Sequence, residues 1–103
     1  MAGERVLILE DDPLLQSVLA DRLRHEGLDV LTASTLAEAR KALEVAEPDV
    51  ALCDLRLPDG ESLGMIREVA PRSSAVFVVM TAHATVATAV EALKLGAKDY
   101  LEK

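Results

Sequence analysis

Arg5-Val6-Leu7-Ile8-Leu9-Glu10-Asp11-Asp12-Pro13 runs through four consecutive apolar residues and breaks off into three acids and a proline. An unbroken apolar run, rather than an alternating one, predicts a strand covered on both faces. Pro13 suits a first helical turn, and Asp12 before it is placed to cap that helix. The segment therefore reads as strand, acidic edge, helix.

Working outward, four more Val-, Leu- and Ile-rich runs follow at 29–33, 49–53, 75–80 and 98–101. Helical patterns separate them. Leu15, Val18, Leu19 and Leu23 fall on one face ahead of Gly27. Thr35-Leu36-Ala37-Glu38 opens a second helix with the signature of a capping box, carrying Leu36, Ala39 and Leu43 inward and ending before Pro48. A third follows Asp59-Gly60 with Leu63 and Ile66 inward, and a fourth places Val86, Ala89, Val90 and Leu93 on one face before Gly96. The pattern is βαβαβαβαβ. Right-handed crossovers make this a parallel five-stranded sheet with helices on both faces, in the flavodoxin-like order 2-1-3-4-5. The chain reaches Lys103 directly after the fifth run, so the helix that usually covers one face there is absent. Exposed apolar sheet is expected in consequence, with 1–103 being one domain truncated from a longer protein.

The composition agrees with a single folded domain. The 103 residues are half apolar and carry 11 basic against 18 acidic side chains, a net charge of −7. That balance disfavours nucleic acid as a direct partner. Phe77 and Tyr100 are the only aromatics, which leaves little to stack on flat cofactors or bases. Cys53 is the only cysteine and reads as a small buried residue rather than a reactive thiol. No apolar run approaches the roughly 20 residues of a membrane span and no secretory signal opens the chain, so a cytoplasmic location is expected.

Ligands of an open parallel sheet bind beyond the carboxyl ends of its strands. There the predicted strands deliver Glu10, Asp11 and Asp12, then Asp54, Thr81 and Lys103. Clustered carboxylates call for a cation, and hard oxygen donors suit Mg²⁺. A central carboxylate beside that metal and a lysine is equipped to attack phosphorus. Asp54 is central, because its strand lies in mid-sheet.

These segments resemble the receiver domain of response regulators, the phospho-acceptor half of two-component signalling. The resemblance rests on Val6 to Asp12, Asp54-Leu55-Arg56-Leu57-Pro58-Asp59-Gly60, Val79-Met80-Thr81-Ala82 and Gly96 to Lys103, in that order. It implies that Asp54 is phosphorylated by a sensor histidine kinase. Asp11 would hold Mg²⁺ directly, with Mn²⁺ able to substitute, and Glu10 through water; Asp54 and the Arg56 backbone carbonyl would complete the protein ligands. Thr81 and Lys103 would contact the phosphoryl group, and Thr81 with Tyr100 would form the switch. Arg56 and His83 are candidate modulators of water access. The resemblance further implies a C-terminal output domain, homodimers through the fourth helix and fifth strand, and catalysis of its own modification only. Met80-Thr81-Ala82-His83 and Asp99-Tyr100-Leu101 look most like receivers that precede sigma-54-type AAA+ activators, hence transcription regulation. Ala84, Ala87, Ala92 and Leu95 are expected to form a partner-facing surface. Two alternatives stand beside this: an aspartate-nucleophile phosphohydrolase, against which Arg56 occupies the general-acid position, and a receiver-like module that is never phosphorylated.

Overall fold

A computed structural model describes residues 3–82 and 85–103. The strands are β1 (Arg5–Leu9), β2 (Asp29–Ala33), β3 (Val50–Asp54), β4 (Arg56–Leu57), β5 (Gly60–Glu61), β6 (Val76–Thr81) and β7 (Asp99–Glu102). The helices are α1 (Pro13–His25), α2 (Leu36–Ala46), α3 (Ser62–Val69) and α4 (Val86–Lys94), with a single 3-10 turn at Ala70–Arg72. The main sheet is parallel in the order β2-β1-β3-β6-β7, which is the flavodoxin-like arrangement expected. The short antiparallel hairpin β4–β5 is an addition that the sequence patterns did not suggest.

Strand parity divides the apolar residues between two cores. Leu7, Leu9, Ala51, Cys53, Phe77 and Val79 face one side, where Ala39 and Leu43 of α2, Leu63, Met65 and Ile66 of α3, and Ala92 of α4 cover them. Val6, Ile8 and Val30 face the other, under Ala20 of α1. On that second side Val76 and Leu101 remain exposed, in keeping with the expectation of uncovered apolar sheet.

Three strands sit one residue later than their apolar runs. β3, β6 and β7 extend to Asp54, Thr81 and Glu102, because the parallel ladder pairs Asp54 with Met80 and Thr81 with Glu102 beyond the point where hydrophobicity stops. The functional edge is therefore held by backbone pairing up to its polar residues.

The α4 face requires correction. Val86, Val90 and Leu93 were expected inward but are 82%, 44% and 50% exposed, whereas Ala92 is 0% exposed and Leu95 packs against the core. The partner-facing expectation for Ala92 and Leu95 is thus reversed; Ala87 is exposed and Ala84 lies outside the described residues. A small residue on the inner face lets the helix lie close to the sheet, and the bulkier Val and Leu turn outward. The turn from α4 into β7 needs Gly96, whose φ is 120° and whose added Cβ would lie 2.9 Å from Ala70 Cβ.

Candidate functional site

The register that aligns Leu9 with Cys53 carries the next residues, Glu10 and Asp54, to the same carboxyl edge. Glu10, Asp54 and Thr81 are buried there, and Asp11 is exposed. One carboxylate oxygen from each of Glu10, Asp11 and Asp54 lies within 4.8 Å of the others. Lys103 is drawn in by its backbone N–H, which donates to Thr81 O at 2.7 Å. Its Nζ lies 2.5 Å from Glu10 Oε1 and 3.0 Å from Asp54 Oδ2.

Three carboxylates and one ammonium leave the cluster at −3 + 1 = −2 when all are ionised. Burial pushes the Glu10 carboxyl up, opposed by Lys103 and by the Asp12 N–H that donates to Oε2 at 3.1 Å. Burial would lower the Lys103 ammonium, but its close contacts with Glu10 and Asp54 prevail and hold it above the usual lysine value. Glu10 Oε1 is buried and meets the Lys103 ammonium as an ion pair. Three carboxylate oxygens within 4.8 Å of one another and a residual charge of −2 on hard oxygen donors fit a divalent cation such as Mg²⁺.

Beside the acids opens a cavity of about 470 Å³, lined by Asp54, Leu55, Arg56, Thr81, Ala82, Thr85, Thr88 and Lys103. A larger one, about 750 Å³, lies between α2 and α3 among Arg40, Glu44, Glu68 and Arg72. Its Arg40–Glu68 and Arg72–Glu68 pairs already neutralise one another and it shares no residue with the acid cluster, so the smaller cavity is the candidate site. Arg56 borders that cavity, while its exposed side chain lies 3.8 Å from Glu61. Tyr100 is half-buried, with its hydroxyl 2.6 Å from Thr88 Oγ1. His83 lies outside the described residues. Asp12 caps α1, accepting from the N–H groups of Leu14 and Leu15 at 3.0 and 3.3 Å.

Several supporting residues escaped the sequence reading. Gln16 Nε2 donates to Glu10 O at 2.8 Å and Ala33 O at 3.1 Å, tying the ends of β1 and β2 together. The Asp59 carboxylate accepts from Leu36 N–H at 2.8 Å and Ala37 N–H at 3.1 Å, joining the hairpin after Asp54 to the start of α2. Thr35 takes the Glu38 N–H as expected, but the Glu38 carboxylate accepts from Ser34 N–H, not from Thr35. Thr85 and Thr88 form the reciprocal capping box of α4. The Thr-x-x-Thr spacing was visible; nothing in the sequence announces the Asp59 bridge, because its partners lie 22 and 23 positions away.

Comparison with known proteins adds to this geometry. The family model of the response regulator receiver domain matches residues 6–103. The chain is 36% identical to the response regulator protein PilR of Pseudomonas aeruginosa, over 100% of this chain and 23% of that protein. It is 35% identical to the photosynthetic apparatus regulatory protein RegA of Cereibacter sphaeroides, over 99% and 56%. The chain thus spans from about a quarter to just over half of these relatives. Among solved structures, a Burkholderia pseudomallei response regulator with a phosphorylated aspartic acid and calcium ion superposes with TM-score 0.92 at 31% identity, covering 97% of this chain and 59% of that one. The beryllofluoride-activated NtrC4 receiver domain dimer gives 0.90 at 38%, covering 97% and 84%. No helix among the described residues is long and apolar enough to cross a membrane. With sequence likeness, strand order and the acidic edge all agreeing from β1 through Lys103, the chain belongs to the response regulator receiver family.

Proposed function

We propose that this chain receives a phosphoryl group on Asp54 from a phosphohistidine of a sensor kinase. The observation that carries this is the convergence of Glu10, Asp11 and Asp54 carboxylates with Lys103 Nζ at one strand edge. An Asp54 carboxylate oxygen attacks phosphorus; the P–N bond breaks and its electron pair returns to the imidazole nitrogen. The acyl phosphate formed is later hydrolysed to Asp54 and inorganic phosphate. Asp11, Asp54 and the Arg56 carbonyl would hold Mg²⁺ directly, with Glu10 through water, and Mn²⁺ would serve in its place. The metal, when bound, offsets charge on the phosphoryl oxygens. Lys103 supplies a fixed positive charge beside the nucleophile, and Thr81, which lines the same cavity, would donate its hydroxyl to a phosphoryl oxygen.

The chain catalyses only its own modification, in the cytoplasm, as part of a longer transcription regulator whose output domain responds to the switch at Thr81 and Tyr100. The resemblance of Met80-Thr81-Ala82-His83 and Asp99-Tyr100-Leu101 to receivers that precede sigma-54-type activators favours such an output domain, and likeness to a receiver domain solved as a dimer favours homodimers, for which α4 and β7 are the proposed surface. Arg56, and His83 with it, would tune access of water to the acyl phosphate.

Intact-mass spectrometry after incubation with acetyl phosphate and Mg²⁺ tests the reading. A single phosphoryl addition is expected, absent in Asp54→Asn and in EDTA. Turnover of an external phosphate ester would favour a phosphohydrolase instead.

A further inference from the structure

Thr88 Oγ1 is the hub of a hydroxyl cluster between the cavity and α4. It accepts from Thr85 N–H at 3.3 Å, lies 2.8 Å from Thr85 Oγ1, donates to Thr85 O at 3.2 Å, and lies 2.6 Å from Tyr100 OH. The Thr88 N–H in turn donates to Thr85 Oγ1 at 3.1 Å. A hydroxyl has one proton and two lone pairs. Thr85 O can only accept, and Thr85 N–H can only donate, so they take the proton and one lone pair of Thr88. Thr85 Oγ1, at 2.8 Å, and Tyr100 OH, at 2.6 Å, compete for the remaining lone pair; the shorter contact and the more acidic phenol give it to Tyr100. Thr88 also lines the cavity that holds Asp54, Thr81 and Lys103.

We infer that Thr88 is a positioning residue: it holds the Tyr100 phenol to the first turn of α4, so that aromatic ring and helix start move as one unit when the cavity beside Asp54 is filled. This deepens the receiver reading and rests on it for its second half. A Glu or Gln at this helix position would close the capping box equally well. A short hydroxyl closes the box and still meets a ring from β7.

Tyr100 is the only tyrosine and tryptophan is absent, so tyrosine signals report this one ring. The first measurement is the tyrosine doublet ratio in ultraviolet resonance Raman of the protein without added metal. Wild type and Thr88→Ser should show a phenol acting as donor only, and Thr88→Val a phenol that both donates to and accepts from water. A water-like ratio in wild type, or an unchanged ratio in folded Thr88→Val, overturns the inference whatever happens at Asp54. The second is the Tyr100 fluorescence response to beryllofluoride with Mg²⁺. Loss of one neutral hydrogen bond should move the Thr88→Val midpoint by about twofold to tenfold, with Thr88→Ser close to wild type. A folded Thr88→Val with an unmoved midpoint overturns the coupling. No bound beryllofluoride by ¹⁹F NMR in wild type would instead overturn the Asp54 reading, and the Raman ratio would still judge Thr88.

Discussion

At the scale of single residues, the chemistry turns on how neighbours with the same edge position are treated differently. Cys53 and Asp54 are adjacent in β3, yet alternate to opposite faces of the sheet. Burial, with the Asp54 charge adding to it, pushes the Cys53 thiol up to about 12. Thiolate is the reactive form, so alkylation of Cys53 by iodoacetamide at neutral pH should be negligible in the native protein and should track global unfolding in urea. Rapid native labelling, read by mass spectrometry, would contradict the burial described. Asp59 illustrates the opposite shift. Its hydrogen bond from Leu36 N–H, with a second from Ala37, holds its carboxyl below the usual value of 3.8. A lowered folded-state value means stabilisation that is present above the unfolded value and disappears as pH falls through the folded one. The melting temperature of wild type should therefore exceed that of Asp59→Asn near neutral pH, and the gap should close on acidification below about 4.

At the scale of elements, α4 separates what hydrophobic patterning can and cannot settle. The helix exists where its periodicity put it, but two stripes were available, Val86-Val90-Leu93 and Thr88-Ala92-Leu95. Hydrophobicity favoured the first, and close approach to the sheet selected the second. Ala92→Leu should thus cost about 1–3 kcal/mol through overpacking, whereas Val90→Glu should change stability by no more than about 0.5 kcal/mol. Urea denaturation of both variants checks the orientation, and the reverse ranking would restore the first stripe. The exposed Val and Leu of α4 are also the side chains available to the proposed dimer. Elsewhere the local signals read well for a physical reason: Asp12 before Pro13 and Thr35 before Glu38 act on backbone within three residues of themselves. The β4–β5 hairpin and the Asp59 bridge depend on backbone brought together by the tertiary fold, which no local spacing encodes.

At the scale of the whole molecule, the parallel order β2-β1-β3-β6-β7 converts separated sequence positions into one site. Glu10, Asp54, Thr81 and Lys103 were legible as strand-end residues, and the register explains why ends alone sufficed. The part played by Thr88 was not legible, since it depends on the ring of Tyr100 crossing from β7 to α4. A cation bound by residues just beyond β1 and at the end of β3 should stabilise the entire domain. At Mg²⁺ about a hundredfold above its dissociation constant, unfolding should become harder by about 2.7 kcal/mol. Asp11→Asn should lose most of this gain, and an equal gain in that variant would place the metal elsewhere.

Under the proposed function Asp54 itself becomes the acyl phosphate. Such a mixed anhydride is electrophilic, so borohydride reduces it to an alcohol and leaves homoserine in place of the aspartate. Wild-type protein treated with acetyl phosphate and Mg²⁺, reduced and sequenced by tandem mass spectrometry should carry homoserine at position 54 and at no other acidic residue. Homoserine at Asp11 or Asp12, 5-hydroxynorvaline at Glu10, or phosphorylated protein with position 54 still aspartate after reduction would contradict it.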